Sequence, residues 1–320
     1  MKQENPKELM FNLASRIGTP LNMSAAALDS LGLRNIKVID LLPDMLIMIR
    51  SVLAKEDLSF ERNPITIIKN GLMISFQNVF DDRQAAANNG LQPERAHVRI
   101  TPLHLGSTVR FSKEMQLRQI TILIDMNFLK QFLGKDESRF HYLFDLERTF
   151  WIEEFMSPEI AALVDEVLSV NEAILLPDFF YKLNCMGMIY YLFRNLSRRE
   201  AISHQHMNVV EIDGIYRIRN AMASSLDKSI PIAHLVKLSG MNEQKLRKLF
   251  MQVFGKGLSD YHQHIRIIEA ARLLKEENLS VSEAGYRLGF TNLSYFGRLF
   301  EKHMGMKPKK WSGKVDQLPK

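Results

Sequence analysis

The chain is predicted to be α+β: a β-rich N-terminal region that closes with helices, then an all-α C-terminal domain of two helix-turn-helix units joined by a long helix. Three observations predict it. Short alternating apolar runs fill the first third, helical periodicity sets in at Ser157, and the last third repeats itself at an offset of 50 residues.

Residues 36–41, 45–53, 58–61, 65–68, 71–77, 96–101, 107–111 and 115–124 are rich in Ile, Leu, Val, Phe and Met, and several alternate with polar residues. Turn signals separate them, among them Asn63-Pro64, Asn70-Gly71 and Asn88-Asn89-Gly90. Many short strands with such punctuation predict a small barrel or sandwich. Ser157-Pro158-Glu159 then supplies an N-cap, a proline at the first helical position and an acid in the first turn, ahead of Ile160, Leu163, Val164, Val167 and Leu168 on one helical face. A further helix follows Pro177, with Phe179, Leu183, Met186, Tyr190 and Phe193 spaced four, three, four and three apart. That stripe either covers the domain's own sheet or forms a contact between two chains. Polar residues 201–213, including His204 and His206, are read as a linker between a domain at 1–200 and one at 214–320.

In the last third, Ile232–Met241 precedes a helix over Glu243–Phe254, and Val281–Phe290 precedes a helix running to Met304. Leu249-Phe250, Gly255 and Tyr261 align with Leu299-Phe300, Gly305 and Trp311 at an offset of 50, whereas Gly240 and Gly289 differ by 49. Each copy is a short helix, a glycine turn and a longer helix. Glycine suits the left-handed exit from the first helix, and Asn242 and Thr291 offer caps to the next one. Ser280 with Glu283 suits a capping box, and Gly285 suits a close approach of two helices. Between the copies, residues 259–277 form one helix apolar over a wide arc, which predicts burial against both units at a fixed separation.

Charge follows the same division. Residues 214–320 hold 19 of the 42 basic and 9 of the 36 acidic side chains, so the C-terminal third carries +10 and the rest −4. A basic end points to a polyanion. A single cysteine, Cys185, excludes an intramolecular disulfide and a cysteine-based zinc site. Neither a signal peptide nor a membrane-spanning run stands out, so the expected location is the cytoplasm.

The pattern Leu238-Ser239-Gly240-Met241, Leu246-Arg247-Lys248-Leu249-Phe250, Ala270-Ala271-Arg272-Leu273-Leu274, Leu288-Gly289-Phe290, Ser294-Tyr295-Phe296-Gly297-Arg298-Leu299-Phe300 and Gly305-Met306-Lys307-Pro308 resembles the DNA-binding domain of the AraC/XylS family of bacterial transcription regulators, over about residues 217–312. Gly285 stands where that family usually has alanine, and Trp311-Ser312 replaces its usual aromatic and arginine. Residues 36–200, with "GLMISFQN" and "ITILIDMNFLKQFLG", resemble the cupin-like barrel that senses effectors and dimerises in the same family. The resemblance implies an activator that binds double-stranded DNA as a homodimer, with RNA polymerase and a small-molecule effector as further partners.

It also implies which side chains meet DNA. Gln244, Arg247, Lys248, Leu293, Ser294 and Arg298 stand at positions that commonly face bases, with Met251 and Gly297 on the same outward faces and Thr291 and Lys245 at their rims. Arg and Lys donate to guanine, Gln pairs with adenine, and Leu meets a thymine methyl. Lys245, Lys256, Lys302, Lys307, Lys309 and Lys310 suit phosphates. No catalytic constellation stands out, so no enzyme activity and no cofactor beyond an effector is expected; Arg99, Phe76 and His97 are the strand residues offered to an effector pocket. The histidine pairs His97/His104, His204/His206 and His262/His264 lack the spacing of metal ligands and are read as exposed or capping residues. The competing reading is a ligand-binding protein whose DNA contacts are architectural or non-specific.

Overall fold

The computed structural model describes residues 30–42, 44–77, 96–111, 113–145, 150–170, 174–199 and 204–313. The chain divides into two compact units, Met1–Met207 and Asn208–Lys320. No helix among the described residues is long and apolar enough to cross a membrane.

The first unit is built on eight strands: β1 (Leu31–Leu42), β2 (Met45–Ala54), β3 (Leu58–Arg62), β4 (Gly71–Gln77), β5 (His97–Pro102), β6 (Ser107–Phe111), β7 (Gln116–Asp125) and β8 (Ile152–Phe155). Six form an antiparallel sheet in the order β1-β2-β7-β4-β5-β8, and β3 pairs with β6 in a separate ribbon. The expected closed barrel is not what these strands make: among the described residues β1 and β8 are the edges of an open sheet. Residues 65–68, expected as a strand, are irregular chain and a bend, because Pro64 removes a donor and the Ile65 amide donates instead to the Leu103 carbonyl at 2.9 Å. The Asn88-Asn89-Gly90 turn signal lies outside the described residues.

Alternation gives the large sheet two unlike faces. Ile47, Ile74, Ile100, Ile120, Ile122 and Ile152 point to one, under helices α1 (Met126–Leu133), α2 (Pro158–Leu168) and α3 (Pro177–Leu196), and form the main core. Phe76 lies there too, so it is separated by the sheet from Arg99 and His97. On the opposite face a band of Arg50, Gln119, Thr121, Ser75 and Arg99 lies between two apolar clusters. One cluster holds Leu46, Met48, Ile65, Leu103 and Leu123, and the other Val52, Leu117 and Phe111 with Leu58 and Phe60 of the ribbon.

Ser157 caps α2 as expected, its hydroxyl accepting from the Ile160 amide at 3.4 Å. In α3 the face that enters the core is Tyr181, Cys185, Met188, Ile189 and Leu192; burial pushes the Cys185 thiol up to about 12. The stripe Phe179, Leu183 and Tyr190 is exposed by 60% or more and does not cover the sheet, whereas Phe193 turns inward. The expected linker also ends early. Asn208 and Glu211 form a capping box, so residues 209–213 are already the first turns of α4 (Val209–Ser224).

The second unit continues with α5 (Ile232–Ser239), α6 (Glu243–Phe254), α7 (Leu258–Lys275), α8 (Val281–Arg287), α9 (Leu293–Met304) and α10 (Pro308–Gly313). Helix α7 buries Tyr261, Ile265, Ile267, Ala271 and Leu274 around most of its circumference, as a helix between two units must. Trp311 fastens α10 to it by donating from Nε1 to the Ala271 carbonyl at 3.1 Å, so its role here is structural.

Candidate nucleic-acid interface

Two helix-turn-helix units, α5–α6 and α8–α9, are built from the repeated sequence. Gly240 and Gly289 both sit at φ +72°, the left-handed region in which a side chain costs energy. Asn242 caps α6, accepting from the Lys245 amide at 2.9 Å. In the second unit the cap is Asn292, which accepts from the Tyr295 amide at 2.9 Å, and Thr291 is the exposed residue before it. The inserted residue that makes the glycines differ by 49 therefore lies between Gly289 and the cap, and the helices after it run in register at 50.

Leu246, Leu249, Phe250 and Val253 of α6 are buried, leaving Gln244, Lys245, Arg247 and Lys248 exposed and Met251 half-buried. On α9, Phe296 and Phe300 are buried and Ser294 and Arg298 exposed, while a Cβ on Gly297 would meet nothing within 4 Å. Leu293 is only half-exposed because it packs on Gly285, where a Cβ would stand 2.7 Å from its Cδ2. Gly285 thus permits the close approach of α8 and α9, and it draws Leu293 partly away from the outward face.

Ion pairs sort the cations. The Arg247 guanidinium pairs with Glu243 one turn earlier at 2.7 Å, and Lys245 pairs with Glu211 of α4. Lys248 and Arg298, which occupy equivalent places in the repeat, form no ion pair or hydrogen bond among the described residues. Lys302, Lys307, Lys309 and Lys310 are exposed, and Lys256 half-buried.

The second turn is braced from behind. Arg266 of α7 donates from Nη2 to the Leu288 carbonyl at 2.6 Å and stacks its guanidinium 3.9 Å from the Phe290 ring centroid. Burial lowers its pKa, opposed by Tyr295 and Asp227. A Cβ at Gly289 would lie 1.8 Å from the Asp227 carbonyl oxygen, so the turn is wedged against the α4–α5 loop.

The histidines have other partners than expected. His262 is buried against the Ser225 carbonyl at 2.8 Å, His204 stacks on Tyr142, and His264 of α7 meets His303 of α9 with their Nδ1 atoms 2.9 Å apart. No group of three or more His, Cys, Asp or Glu among the described residues is placed to hold a metal ion. Sequence reasoning missed His303, although the offset of 50, which matches it to the apolar Val253, marks it as unusual; Arg266 belongs to the pattern that carries the family resemblance, but the sequence assigns it no role.

Residues 235–314 match the protein family described as a helix-turn-helix domain. The HTH-type transcriptional activator RhaR of Cronobacter sakazakii is 34% identical over 91 residues, covering 28% of this chain and 32% of RhaR. The HTH-type transcriptional regulator GbdR of Pseudomonas aeruginosa is 24% identical over 121 residues, 38% of this chain and 33% of GbdR. A solved transcriptional regulator with an AraC-type DNA-binding domain, from Chromobacterium violaceum, is 20% identical with a TM-score of 0.32 and covers 35% of this chain and 100% of that one. The match spans about a third of the length of those curated relatives.

Proposed function

We propose, from the premise that the C-terminal unit is a helix-turn-helix domain of the AraC/XylS family, that this chain is a sequence-specific transcription regulator, an effector-responsive activator that reads successive major-groove segments with α6 and α9. The observation that carries the reading is the pair of outward helix faces, each with an unpaired cation at the same repeat position, Lys248 and Arg298, held by one shared helix. Arg298 donates to a guanine edge, Gln244 and Ser294 hydrogen-bond to bases, and Gly297 lets α9 lie close to the groove floor. Arg247, oriented by Glu243, reads a base at the rim of α6, and Met251 and Leu293 supply apolar contact. Lysines 302, 307, 309 and 310 neutralise phosphates.

The first unit senses the effector, and two copies join through the exposed Phe179, Leu183 and Tyr190 stripe of α3, whose spacing suits an identical helix. As an activator, the dimer recruits RNA polymerase. Selection of genomic DNA fragments bound by the full chain at two salt concentrations tests this. A shared motif spanning two major-groove segments at both concentrations is expected; binding without sequence preference that vanishes steeply with salt would replace it with the architectural reading.

A further inference from the structure

The two turns are tied to the helices behind them by the same residue type, and the ties are unequal. In the first unit Arg217 of α4 donates from Nε to the Leu238 carbonyl at 3.2 Å, whereas Arg266 of α7 donates to the matching Leu288 carbonyl twice, from Nε at 3.1 Å and from Nη2 at 2.6 Å. Arg217 is exposed and Arg266 half-buried. The residue after each turn glycine accounts for the difference, being Met241 in the first unit and Phe290 in the second. Phe290 gives the Arg266 guanidinium a flat face 3.9 Å away, and a thioether offers none. The first turn instead lies close on α4 at Gly214, where a Cβ would stand 2.7 Å from the Ser239 carbonyl oxygen.

Arg266 also holds one end of a row of rings that carries α9. Phe290 packs on Phe296 with 5.0 Å between centroids, Phe296 on Phe300 with 5.9 Å, and Phe300 on Trp311 with 6.2 Å. Trp311 returns to α7 through its bond to the Ala271 carbonyl. The inner face of α9 is thus mounted between two points of one helix, Arg266 and Ala271, about 7.5 Å apart along its axis. Rings alone fill space without fixing a direction, whereas two bonds from a planar guanidinium to one carbonyl set an orientation as well as a distance. The remaining partner of Arg266 is the Gln263 side-chain oxygen at 3.3 Å; it forms no ion pair within 4 Å among the described residues, and Asp227 acts on it only at longer range. A half-buried charge without a carboxylate loses solvation, so its net gain in stability is small while its geometry is strict.

We infer that Arg266 is a positioning residue for DNA reading: it touches no base, but through Phe290 and Phe296 it sets the angle at which α9 presents Ser294, Gly297 and Arg298, and so determines how stringently that helix discriminates between sequences. A recognition helix free to rock accommodates a wrong base by moving off it. One held from behind leaves the mismatched groups unpaired, and the mismatch is penalised. Helix α6, whose turn lacks the stack, is the internal control. The inference rests on the regulator reading above, in which α9 enters a major groove.

Selection from a random DNA pool by the full chain yields a motif of two blocks, one for each recognition helix, and the same selection with Arg266→Met tests the inference. That variant removes the fork and keeps an apolar side chain against Phe290. Discrimination should fall about fivefold in one block and stay within about twofold in the other. The block that relaxes is expected to be the one that Arg298→Ala also relaxes. Affinity for unrelated DNA should stay within about twofold, since no phosphate contact is removed. A purely structural arginine would act differently, lowering the folded fraction and weakening every sequence alike. Should Arg266→Met not fold by circular dichroism, Arg266→Lys, which keeps the charge and loses the fork, takes its place with a smaller loss in the same block. Unchanged discrimination, equal relaxation of both blocks, or relaxation of the other block alone overturns the inference. No motif from the unsubstituted chain would remove the regulator reading and this inference with it, whereas a motif that the Arg266 variants leave intact removes the inference alone.

Discussion

The two helix-turn-helix units start from one repeat and end with different electrostatics. At the positions where α6 carries Glu243 and Arg247, α9 carries Leu293 and Gly297, so the first unit displays an internal ion pair where the second displays a leucine tucked on Gly285 and an open patch of backbone. Lys245, paired with Glu211, corresponds to Tyr295. The first turn of α9 contains no acid, whereas that of α6 begins with Glu243. Part of the positive charge on α6 is therefore neutralised within the helix and by α4, and its arginine is held by Glu243. Helix α9 instead carries one unpaired arginine beside the bare backbone of Gly297, where a Cβ would meet nothing within 4 Å. The same scaffold thus presents two kinds of outward face, and the difference lies in which cations have acidic neighbours.

The sharpest break between the units is expected at their turn glycines. Gly240→Ala strains a left-handed residue in open space and should cost about 1–2 kcal/mol. Gly289→Ala adds a Cβ 1.8 Å from the Asp227 backbone oxygen, so the α4–α5 loop must move, and the loss should exceed about 3 kcal/mol. Urea unfolding followed by helical circular dichroism measures both; equal losses would mean that the wedge against Asp227 does not matter.

On DNA, Arg298→Ala should weaken a cognate site by about 1–3 kcal/mol and relax one base position, because no other group on α9 replaces its fork. Lys248→Ala, at the equivalent place, should cost about 1 kcal/mol and relax a base position read by α6. A loss at Arg298 that is the same on every sequence would move it from base to phosphate. Glu243→Gln is the finer probe. Its exposed pair with Arg247 is worth only a few tenths of a kcal/mol to the helix, so folding should barely change, while the freed charge should raise affinity for non-specific DNA and erode discrimination by α6. Measured by competition with random DNA, an unchanged ratio would show that the pair does not orient Arg247 for reading.

Much of the second unit was legible because helix periodicity, caps and glycine turns are local signals: Gly240, Asn242, and Ser280 with Glu283 act where the chain predicts. Thr291 was a misreading of one position, since a threonine and an asparagine stand side by side and either can cap. The outward faces of α6 and α9 follow from periodicity, but pairing does not; that Lys245 meets Glu211 depends on how α4 crosses α6, a contact 34 residues apart in sequence. The first unit was less legible. Its strands show in alternation, yet whether they close into a barrel depends on edge pairing, which alternation does not encode. The exposed stripe on α3 has the same spacing as its buried neighbour face, so pattern alone could not say which one enters the core. The polar band was invisible for a related reason: Arg50, Gln119, Ser75 and Arg99 are scattered over four strands, and only the register brings them together.

The smallest expected difference between the units is a response to pH. His303 packs on His264 where the first unit has the buried, apolar Val253. Burial lowers the His303 pKa, Lys256 and Lys302 lower it further, and Asp260 opposes them. A histidine depressed in the folded state binds its proton more readily once unfolded, so its contribution is intact above the ordinary value of about 6.5 and is lost as the pH falls below it. The Nδ1 contact at 2.9 Å adds to this, since one ring must accept and two imidazoliums cannot. Acidification from pH 7.5 to 5.5 should therefore loosen α9 while leaving α6 as it was. Hydrogen exchange, corrected for the intrinsic dependence on pH, reads both helices in one experiment: faster exchange confined to α9 and abolished by His303→Gln is expected, and parallel acceleration in α6 would assign the loosening to the unit as a whole.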